Sequence, residues 1–209
     1  TFTIGADDPA TAARSPQAVP HARPLKLKMS GEVAPDIARI SAVRPVRADV
    51  WLGVDANQGY SIATLRAALP IFIDADVQLI EQPLPRGREA DLEGLESRIP
   101  IAADESVQGL ADIARLRGRF NVVNIKLDKC GGLTEALAMV NEARRFGMQV
   151  MVGNMMGTSL AMAPAFIVAQ LCDYVDLDGP TFIAQDRIPG VSYEDGAVYC
   201  PETVWGGSA

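Results

Sequence analysis

Short runs rich in Val, Ile and Leu recur along this chain at intervals of 22 to 27 residues, and most end at a charged residue. Seven such ends can be read directly from the sequence. They are Lys28, Asp55, Glu81, Asp104, Lys126, Gly153 and Asp176. The interval matches one strand, one helix and two short loops, and a repeat of this length is typical of arrays built from one structural unit. The chain is therefore predicted to consist of repeated βα units.

The predicted strands are the segments in which apolar and β-branched residues cluster between turn signals. Seven follow from the repeat, and the start of the chain adds an eighth. They are Thr1–Gly5, Leu25–Met29, Trp51–Asn57, Val77–Pro83, Ile101–Ser106, Val122–Leu127, Gln149–Met155 and Tyr174–Gly179. Amphipathic helical patterns separate them, which indicates a parallel sheet. The predicted fold class is α/β, a TIM-type (β/α)8 barrel whose strands all end on one face.

Two segments depart from the repeat. Ala6–Pro24 contains four prolines, so a weak or broken helix is expected between the first two strands. After about Ala184 the repeat gives way to Gly, Pro, Tyr and Trp without a clear period. We therefore expect a barrel domain over residues 1–184 and an irregular C-terminal extension over residues 185–209.

Composition excludes several classes of partner. The chain has 26 acidic and 19 basic side chains and no dense Lys/Arg block, so no nucleic-acid partner is expected. The longest apolar stretch, around Leu160–Leu171, is too short to span a bilayer. Three scattered cysteines build neither a disulfide framework nor a CxxC metal site, which favours a reducing cytoplasm. The oligomeric state is left open, a homo-oligomer included.

Carboxylates end three consecutive predicted strands. Asp55, Glu81 and Asp104 end the third, fourth and fifth strands. Adjacent parallel strands lie about 4.8 Å apart, so the three acids can meet at one point, where they repel one another unless a cation lies among them. Oxygen ligands suit Mg²⁺, and the single histidine and dispersed cysteines exclude most zinc sites. One such acid alone more often caps a helix or pairs with a base, but three in register favour a metal.

Lysines end the second and sixth predicted strands, which are opposite each other in a ring of eight. Lys26 and Lys28 are two residues apart and point to the same side of a strand, so each charge would lower the pKa of the other and favour a neutral amine. With Lys126 on the sixth strand, a substrate held between them would have one lysine on each face. That geometry suits moving a proton from one side of a carbon to the other. Lys129 is predicted to lie on the surface, the default for a lone lysine.

An acidic pair ends the last predicted strand. Asp176 and Asp178 are two residues apart and therefore share one face of the strand. They could accept hydrogen bonds from a cationic group of a substrate. Because Asp178 is followed by Gly and Pro, an ordinary turn explains the pattern about equally well.

The strand ends form five short motifs in a fixed order. They are Lys26-Leu27-Lys28, Asp55-Ala56-Asn57, Glu81-Gln82-Pro83, Asp104-Glu105-Ser106, and Asn124-Ile125-Lys126 followed by Lys129-Cys130-Gly131-Gly132. In this order they resemble the enolase superfamily, and within it the muconate-lactonizing subgroup. The resemblance runs from about Thr1 to the end of the chain. It implies a modified barrel like the C-terminal domain of enolase.

The resemblance implies an isomerase with one Mg²⁺ per active site. The ion would be held by Asp55, Glu81 and Asp104, and it would bind the substrate carboxylate. A lysine would remove the α-proton to give a metal-stabilised enolate, as the superfamily does with a Lys or His base. By the same resemblance, Lys28 and Lys126 would be the two acid/base lysines.

The resemblance also implies a substrate. The Asp-x-Asp pair at the eighth strand is similar to that of dipeptide epimerases, where it binds the free α-ammonium of the dipeptide. Asp176 and Asp178 would then bind substrate, and Lys26 would assist its neighbour or hold the substrate carboxylate. Epimerisation of a dipeptide of the L-Ala-D/L-Glu type is the expected activity.

Alternatives remain open at this point. The same barrel and metal could serve cycloisomerisation, o-succinylbenzoate synthesis or N-acyl amino acid racemisation, none of which needs a pair of acids for a free ammonium. Family members carry an N-terminal capping domain that covers the active site, and we expect it to be absent from this chain, with residues 185–209 being the part that would pack on it. A catalytically inactive, truncated barrel is therefore the remaining alternative.

Overall fold

Eight parallel strands form one sheet in chain order in the computed structural model, which describes residues 1–18 and 20–206. The strands are β1 (Phe2–Ile4), β2 (Pro24–Lys28), β3 (Trp51–Asp55), β4 (Leu79–Glu81), β5 (Ile101–Ala103), β6 (Val122–Lys126), β7 (Gln149–Gly153) and β8 (Tyr174–Asp176). The backbone nitrogen of Thr1 donates to the carbonyl of Val175 at 2.8 Å, so the sheet nearly closes between β1 and β8. The predicted barrel is confirmed, and most strands end earlier than predicted because their last residues enter the loops of the carboxyl face.

Helices follow most of the strands and cover the outside of the barrel. They are α1 (Pro9–Ala18), α2 (Val33–Val46), α3 (Ile62–Asp74), α4 (Leu110–Leu116), α5 (Leu127–Cys130), α6 (Leu133–Arg145) and α7 (Ser159–Ala169). A turn of 3-10 helix, Glu89–Leu92, takes the place of a helix after β4, and another, Gly179–Phe182, follows β8. No helix in the described ranges is long and apolar enough to cross a membrane.

The expectation of a weak or broken helix after β1 is wrong, because α1 runs without a break from Pro9 to Ala18 although it contains two of the prolines. Pro9 is the first residue of α1, where its missing N–H costs no helical hydrogen bond. The Asp8 carboxylate caps the helix by accepting from the N–H groups of Ala10 and Thr11 at 3.0 and 3.1 Å. Pro16 lies inside the helix, which nevertheless continues because it packs on α2.

Alternation along the strands divides the core into two parts. Residues such as Leu52 and Val54 point outward and join the large core beneath the helices. Their neighbours point into the barrel, where a smaller cluster fills the lower half. It consists of Leu79, Ala102, Val122 and Met151, with Trp51 and Tyr174 packed against it. The same interior-facing positions become polar towards the carboxyl ends of the strands, so the barrel interior is apolar at one end and charged at the other.

The C-terminal extension packs on the barrel. It contains a hairpin of β9 (Ser192–Glu194) and β10 (Ala197–Tyr199) and a 3-10 turn, Glu202–Trp205. The hydroxyl of Tyr193 donates to the carbonyl of Leu177 at 2.6 Å, and Val204 is buried. Residues 185–206 of the predicted extension over 185–209 therefore contact the barrel, and residues 207–209 lie outside the described part.

Candidate active site

The carboxyl ends of the strands bring the predicted residues to one face. The sheet register pairs Lys28 with Asp55 and Asp55 with Glu81, so these three lie side by side on β2, β3 and β4. On the other side Lys126 pairs with Gly153, and Gly153 with Asp176. A cavity of about 310 Å³ lies over this face.

Glycine ends β7 for a steric reason. A Cβ at Gly153 would lie 3.0 Å from Cε of Lys126 and 3.1 Å from Oδ1 of Asn124. These contacts are tighter than usual, so a side chain at position 153 would push Lys126 or Asn124 from its place by a few tenths of an ångström. Gly153, the one uncharged strand end among the seven, therefore makes space for the charged strand end Lys126.

The three predicted metal ligands are buried. The side chains of Asp55 and Glu81 are fully shielded from solvent, and that of Asp104 is 4% exposed. Burial and the neighbouring charge of Asp55 raise the pKa of Glu81 to about 8. Burial would also raise the pKa of Asp104, but the ammonium groups of Lys129 and Lys126 outweigh it and lower that pKa to about 2.

Lys26 lies at the centre of the acidic groups. Its Nζ is 3.4 Å from Oε2 of Glu81, 3.8 Å from Oδ2 of Asp55, and hydrogen-bonded to Asp176. Burial alone would lower the pKa of Lys26, but the charges of Asp176, Glu81 and Asp55 raise it well above its ordinary value. The prediction that Lys28 lowers the pKa of Lys26 is therefore wrong. The three carboxylates around Nζ of Lys26 have a larger effect on this pKa than the neighbouring lysine has.

The two predicted acid/base lysines reach the site from opposite strands. Nζ of Lys28 donates to Asp55 at 2.5 Å and to Asn57 at 2.9 Å, and the side chain is 31% exposed. Nζ of Lys126 donates to Oδ2 of Asp104 at 2.6 Å, and its side chain is 11% exposed. Burial opposes the ammonium form of Lys126, but Asp104 and Glu81 raise its pKa overall.

Lys129 belongs to this site, so its assignment to the surface is wrong. Its side chain is 13% exposed, and its Nζ donates to Oδ1 of Asp104 at 2.6 Å, to the Asp104 carbonyl at 2.7 Å and to the Asn124 carbonyl at 3.1 Å. The short helix α5 begins directly after β6 and turns Lys129 back towards the barrel axis. Burial, its largest influence, lowers the pKa of Lys129 despite the charge of Asp104.

Lysine usage is a signal that identifies Lys129 from sequence. The chain has 19 basic residues, of which only four are lysines: Lys26, Lys28, Lys126 and Lys129. All four lie at this site, and every other basic residue is arginine. Lysine, unlike arginine, changes its protonation state readily when it is buried. The restriction of lysine to these four positions therefore indicates that Lys129 belongs to the same site as the other three.

The acidic pair of β8 lies beside Lys26. Asp176 is hydrogen-bonded to Lys26 and to the hydroxyl of Thr1, and Asp178 accepts from the N–H of Thr3 at 2.7 Å. Burial would raise the pKa of Asp176, but the ammonium group of Lys26 lowers it overall. Burial and the charge of Asp176 raise the pKa of Asp178. Both aspartates line the cavity over the carboxyl face, although Asp178 also precedes the turn that its sequence predicts.

The donor chemistry at this face suits a hard divalent cation, although the carboxylates do not form a ready-made metal cluster. Within residues 1–18 and 20–206, no three His, Cys, Asp or Glu side chains are grouped closely enough to hold a metal ion. Oxygen donors nevertheless predominate, and among the described residues the buried Oδ1 of Asn124 has no hydrogen-bond partner. The Nδ2 atom of that amide donates to Glu81 at 2.6 Å. The ligand set Asp55, Glu81 and Asp104 remains a prediction, and the residues present fit it chemically.

Two further residues at the site, Asn124 and Gln82, belong to the strand-end motifs but were given no role from the sequence. Asn124 is two residues before Lys126 on β6 and therefore shares its face, the same i, i+2 relation that pairs Lys26 with Lys28. Gln82, directly after Glu81, is fully buried and hydrogen-bonded to the end of β5. No periodicity marks Gln82, since it lies in a loop.

The family model described as "Enolase C-terminal domain-like" matches residues 10–204. Among curated proteins, N-acetyl-D-glutamate racemase of a Pseudoalteromonas species is 40% identical over 82% of this chain and 55% of its own length. L-Ala-D/L-Glu epimerase of Escherichia coli K12 is 38% identical over 95% of this chain and 61% of its own length. The chain thus spans less than two thirds of these relatives.

Solved structures agree in fold. An enolase family member from Agrobacterium tumefaciens with homology to dipeptide epimerases, with bound sodium and L-Ala-L-Glu, is 44% identical with a TM-score of 0.88. A dipeptide epimerase from Methylococcus capsulatus complexed with Mg is 31% identical with a TM-score of 0.90. Each match covers 96% of this chain and 61% of the other. The resemblance predicted from the strand-end motifs is confirmed, and this chain belongs to the enolase C-terminal domain-like family.

Proposed function

We propose that this barrel is the catalytic part of a Mg²⁺-dependent isomerase that epimerises the α-carbon of a dipeptide of the L-Ala-D/L-Glu type in the cytoplasm. One observation carries the proposal. Lys28 and Lys126 come from strands on opposite sides of the barrel and flank three buried carboxylates on the strands between them. Relatives and structural neighbours named as epimerases of dipeptides support it.

Asp55, Glu81 and Asp104 would hold the metal in this proposal. When bound, Mg²⁺ would supply positive charge to a substrate carboxylate and so make the neighbouring α-proton more acidic. The raised pKa of Glu81 supports the assignment, because it reflects carboxylates packed together out of water. A cation of high charge is the partner that such a group would accept.

Lys28 and Lys126 would move the proton at the α-carbon. One lysine would remove it from one face and the other would return a proton to the opposite face, which inverts the centre. The configuration of the bound substrate decides which lysine must be neutral and which protonated.

Asp176, Asp178 and Lys26 would bind the substrate. The free α-ammonium of a dipeptide is a cation, and two buried carboxylates at the cavity wall can accept charge-assisted hydrogen bonds from it. Lys26 would assist Lys28 or bind the substrate carboxylate. The extension over residues 185–209 would contact a capping domain that closes the cavity from water.

Exchange of the α-proton tests the reaction directly. The full-length protein is incubated with L-Ala-L-Glu and Mg²⁺ in D₂O, and loss of the α-proton signal is followed by NMR. Lys28→Met and Lys126→Met should each slow epimerisation by about 10²–10⁴-fold. Arg66→Met, which removes one exposed positive charge from α3, is the control and should change the rate little. If the unaltered protein with Mg²⁺ exchanges no α-proton, the proposal is wrong.

N-acyl amino acid racemisation is the second candidate, favoured by the relative named N-acetyl-D-glutamate racemase. An N-acyl substrate has no free ammonium for the acidic pair to bind. Asp176→Asn should therefore raise KM for L-Ala-L-Glu about tenfold or more and leave turnover of N-acetylglutamate nearly unchanged. Turnover of L-Ala-L-Glu that Asp176→Asn leaves unchanged, or turnover of the N-acyl compound alone, would favour this second candidate.

A further inference from the structure

One side chain ties the end of β4 to the end of β5. Oε1 of Gln82 accepts from the N–H of Asp104 at 2.9 Å and from the N–H of Ser106 at 3.0 Å. Nε2 of Gln82 donates to the carbonyl of Leu84 at 2.9 Å and to the hydroxyl of Ser106 at 2.8 Å. A side-chain amide has two donor hydrogens and two acceptor lone pairs. Gln82 uses all of them, and it is fully buried.

The backbone of Gln82 is held in an unusual conformation. The φ angle of Gln82 is +34°, which lies in a region that residues other than glycine rarely adopt. Its N–H donates to the carbonyl of Ala102 at 2.8 Å, and its carbonyl accepts from the N–H of Gln58 at 2.8 Å. Such a conformation persists only where the surroundings fix it from several sides, and it occurs often at functional sites. Gln82 directly follows Glu81 and is hydrogen-bonded to Asp104, and both of these carboxylates are predicted to bind the same Mg²⁺ ion.

No other residue reproduces this set of contacts. Asparagine is one methylene shorter and cannot reach both strands from the same backbone. Glutamate offers no donor to the carbonyl of Leu84 and adds a negative charge next to Glu81. An apolar side chain leaves the two N–H groups of Asp104 and Ser106 without an acceptor, which is costly in a buried place.

We propose that Gln82 is a positioning residue that fixes the separation between Glu81 and Asp104, and with it the affinity of the site for Mg²⁺. This inference rests on the proposed function, in which both carboxylates bind the ion. Gln82 acts through the backbone of Asp104 and touches neither metal nor substrate. Groups that orient metal ligands in this way typically account for about 10- to 100-fold in metal affinity or activity.

The test compares two glutamines changed in the same way. Gln82→Met keeps the length of the side chain and removes all four hydrogen bonds. Gln58→Met is the matched control, because Gln58 also has a positive φ, of 68°, and follows a predicted ligand strand, yet its side chain accepts only from the N–H of Arg86. Two quantities are measured: the Mg²⁺ dissociation constant by calorimetry, and amide hydrogen exchange of Asp104 and Ser106 without metal.

Gln82→Met should weaken Mg²⁺ binding about 10- to 100-fold and accelerate exchange of the Asp104 and Ser106 amides, whereas Gln58→Met should change neither by more than about twofold. If Gln82→Met does not fold, Ser106→Ala replaces it, with a smaller loss of affinity in the same direction. A role in stability alone would lower the unfolding temperature but leave the dissociation constant of the folded chain unchanged. That result, or unaltered exchange at Asp104, overturns the inference.

Failure of the proposed function gives a different result. If the unaltered protein binds no Mg²⁺, the metal assignment is lost, and amide exchange alone still decides whether Gln82 holds Asp104. Bound Mg²⁺ with no difference between the two variants refutes positioning by Gln82 and leaves the metal site intact.

Discussion

Replacing Tyr60 by phenylalanine removes one hydroxyl from a buried cluster behind the candidate active site. The hydroxyl of Tyr60 donates to Oδ2 of Asp36 at 2.6 Å, and both residues are almost completely buried. Asp36 also accepts from the N–H and hydroxyl of Ser30, the N–H of Gly31 and the guanidinium of Arg39. The cluster therefore holds the loop that leaves β2 directly after the predicted acid/base lysine.

The expected cost follows from the charge on Asp36. A hydrogen bond to a charged group contributes about 1.5–3 kcal/mol to stability. The phenyl ring keeps its place against Phe72, whose ring centroid is 6.3 Å away, so no cavity term is added. For a chain of this size, Tyr60→Phe should lower the unfolding temperature by roughly 3–12 °C.

The stability that Tyr60→Phe removes should depend on pH, and the direction of that dependence follows from the pKa of Asp36. Burial alone would raise the pKa of Asp36, but hydrogen bonds from Ser30, Tyr60 and Arg39 hold it below its ordinary value of 3.8. A carboxylate with a lowered pKa stabilises the fold above its ordinary pKa and loses that contribution as pH falls through the folded value. The difference between Tyr60→Phe and the parent should therefore be full at pH 7 and shrink below pH 3.8.

Urea unfolding at several pH values provides the measurement, and Tyr174→Phe provides the control. The hydroxyl of Tyr174 donates to the neutral Oε1 of Gln149 at 3.3 Å and is half-buried, so its loss should cost about 1 kcal/mol or less. Equal costs for the two variants would refute the role of the Asp36 charge. So would a Tyr60→Phe cost that stays constant as Asp36 is protonated.

Three further outcomes are expected. Gly31→Ala should lower stability by about 1–3 kcal/mol in thermal unfolding, because its φ is +87° and a Cβ would lie 2.7 Å from the carbonyl of a neighbouring loop. Gly87→Ala, at φ +92° with no atom within 4 Å, should cost less, and an equal cost would contradict the steric argument. Mg²⁺ at 100 times its dissociation constant should stabilise the chain by about 2.7 kcal/mol, and EDTA should remove the gain; no shift on unfolding would argue against the metal. An acylating reagent should modify Lys28, which is 31% exposed, faster than Lys26, which is 6% exposed and has a raised pKa, as read by peptide mass spectrometry. The reverse order would contradict the charge arrangement.

The repeat predicts the barrel because its spacing follows from local geometry. One strand and one helix need about the same number of residues wherever they occur, so the eight strands and their order can be read from the chain. The helix α1 was not predictable from proline content alone. Whether Pro16 breaks that helix depends on how it packs on α2, which is a tertiary contact.

The site was predictable to the extent that its residues end strands. Asp55, Glu81, Lys28 and Lys126 could be identified because parallel strands deliver their ends to one face. Lys129 was misassigned because it lies on a helix turn beyond β6, where strand alternation no longer applies. The prediction of a lowered lysine pKa considered only the neighbour along the strand and not the carboxylates that other strands bring to Lys26.

Sequence by itself determined the repeat, the barrel, the family and which charged side chains gather at one end. Tertiary structure alone decided how those charges pair: which carboxylate each lysine contacts, that Lys129 joins them, and that Gln82 ties β4 to β5. The physical reason is the separation along the chain of the groups that interact. Strand and helix periods depend on near neighbours along the chain, whereas a pKa and a hydrogen bond depend on atoms that only folding brings within a few ångströms.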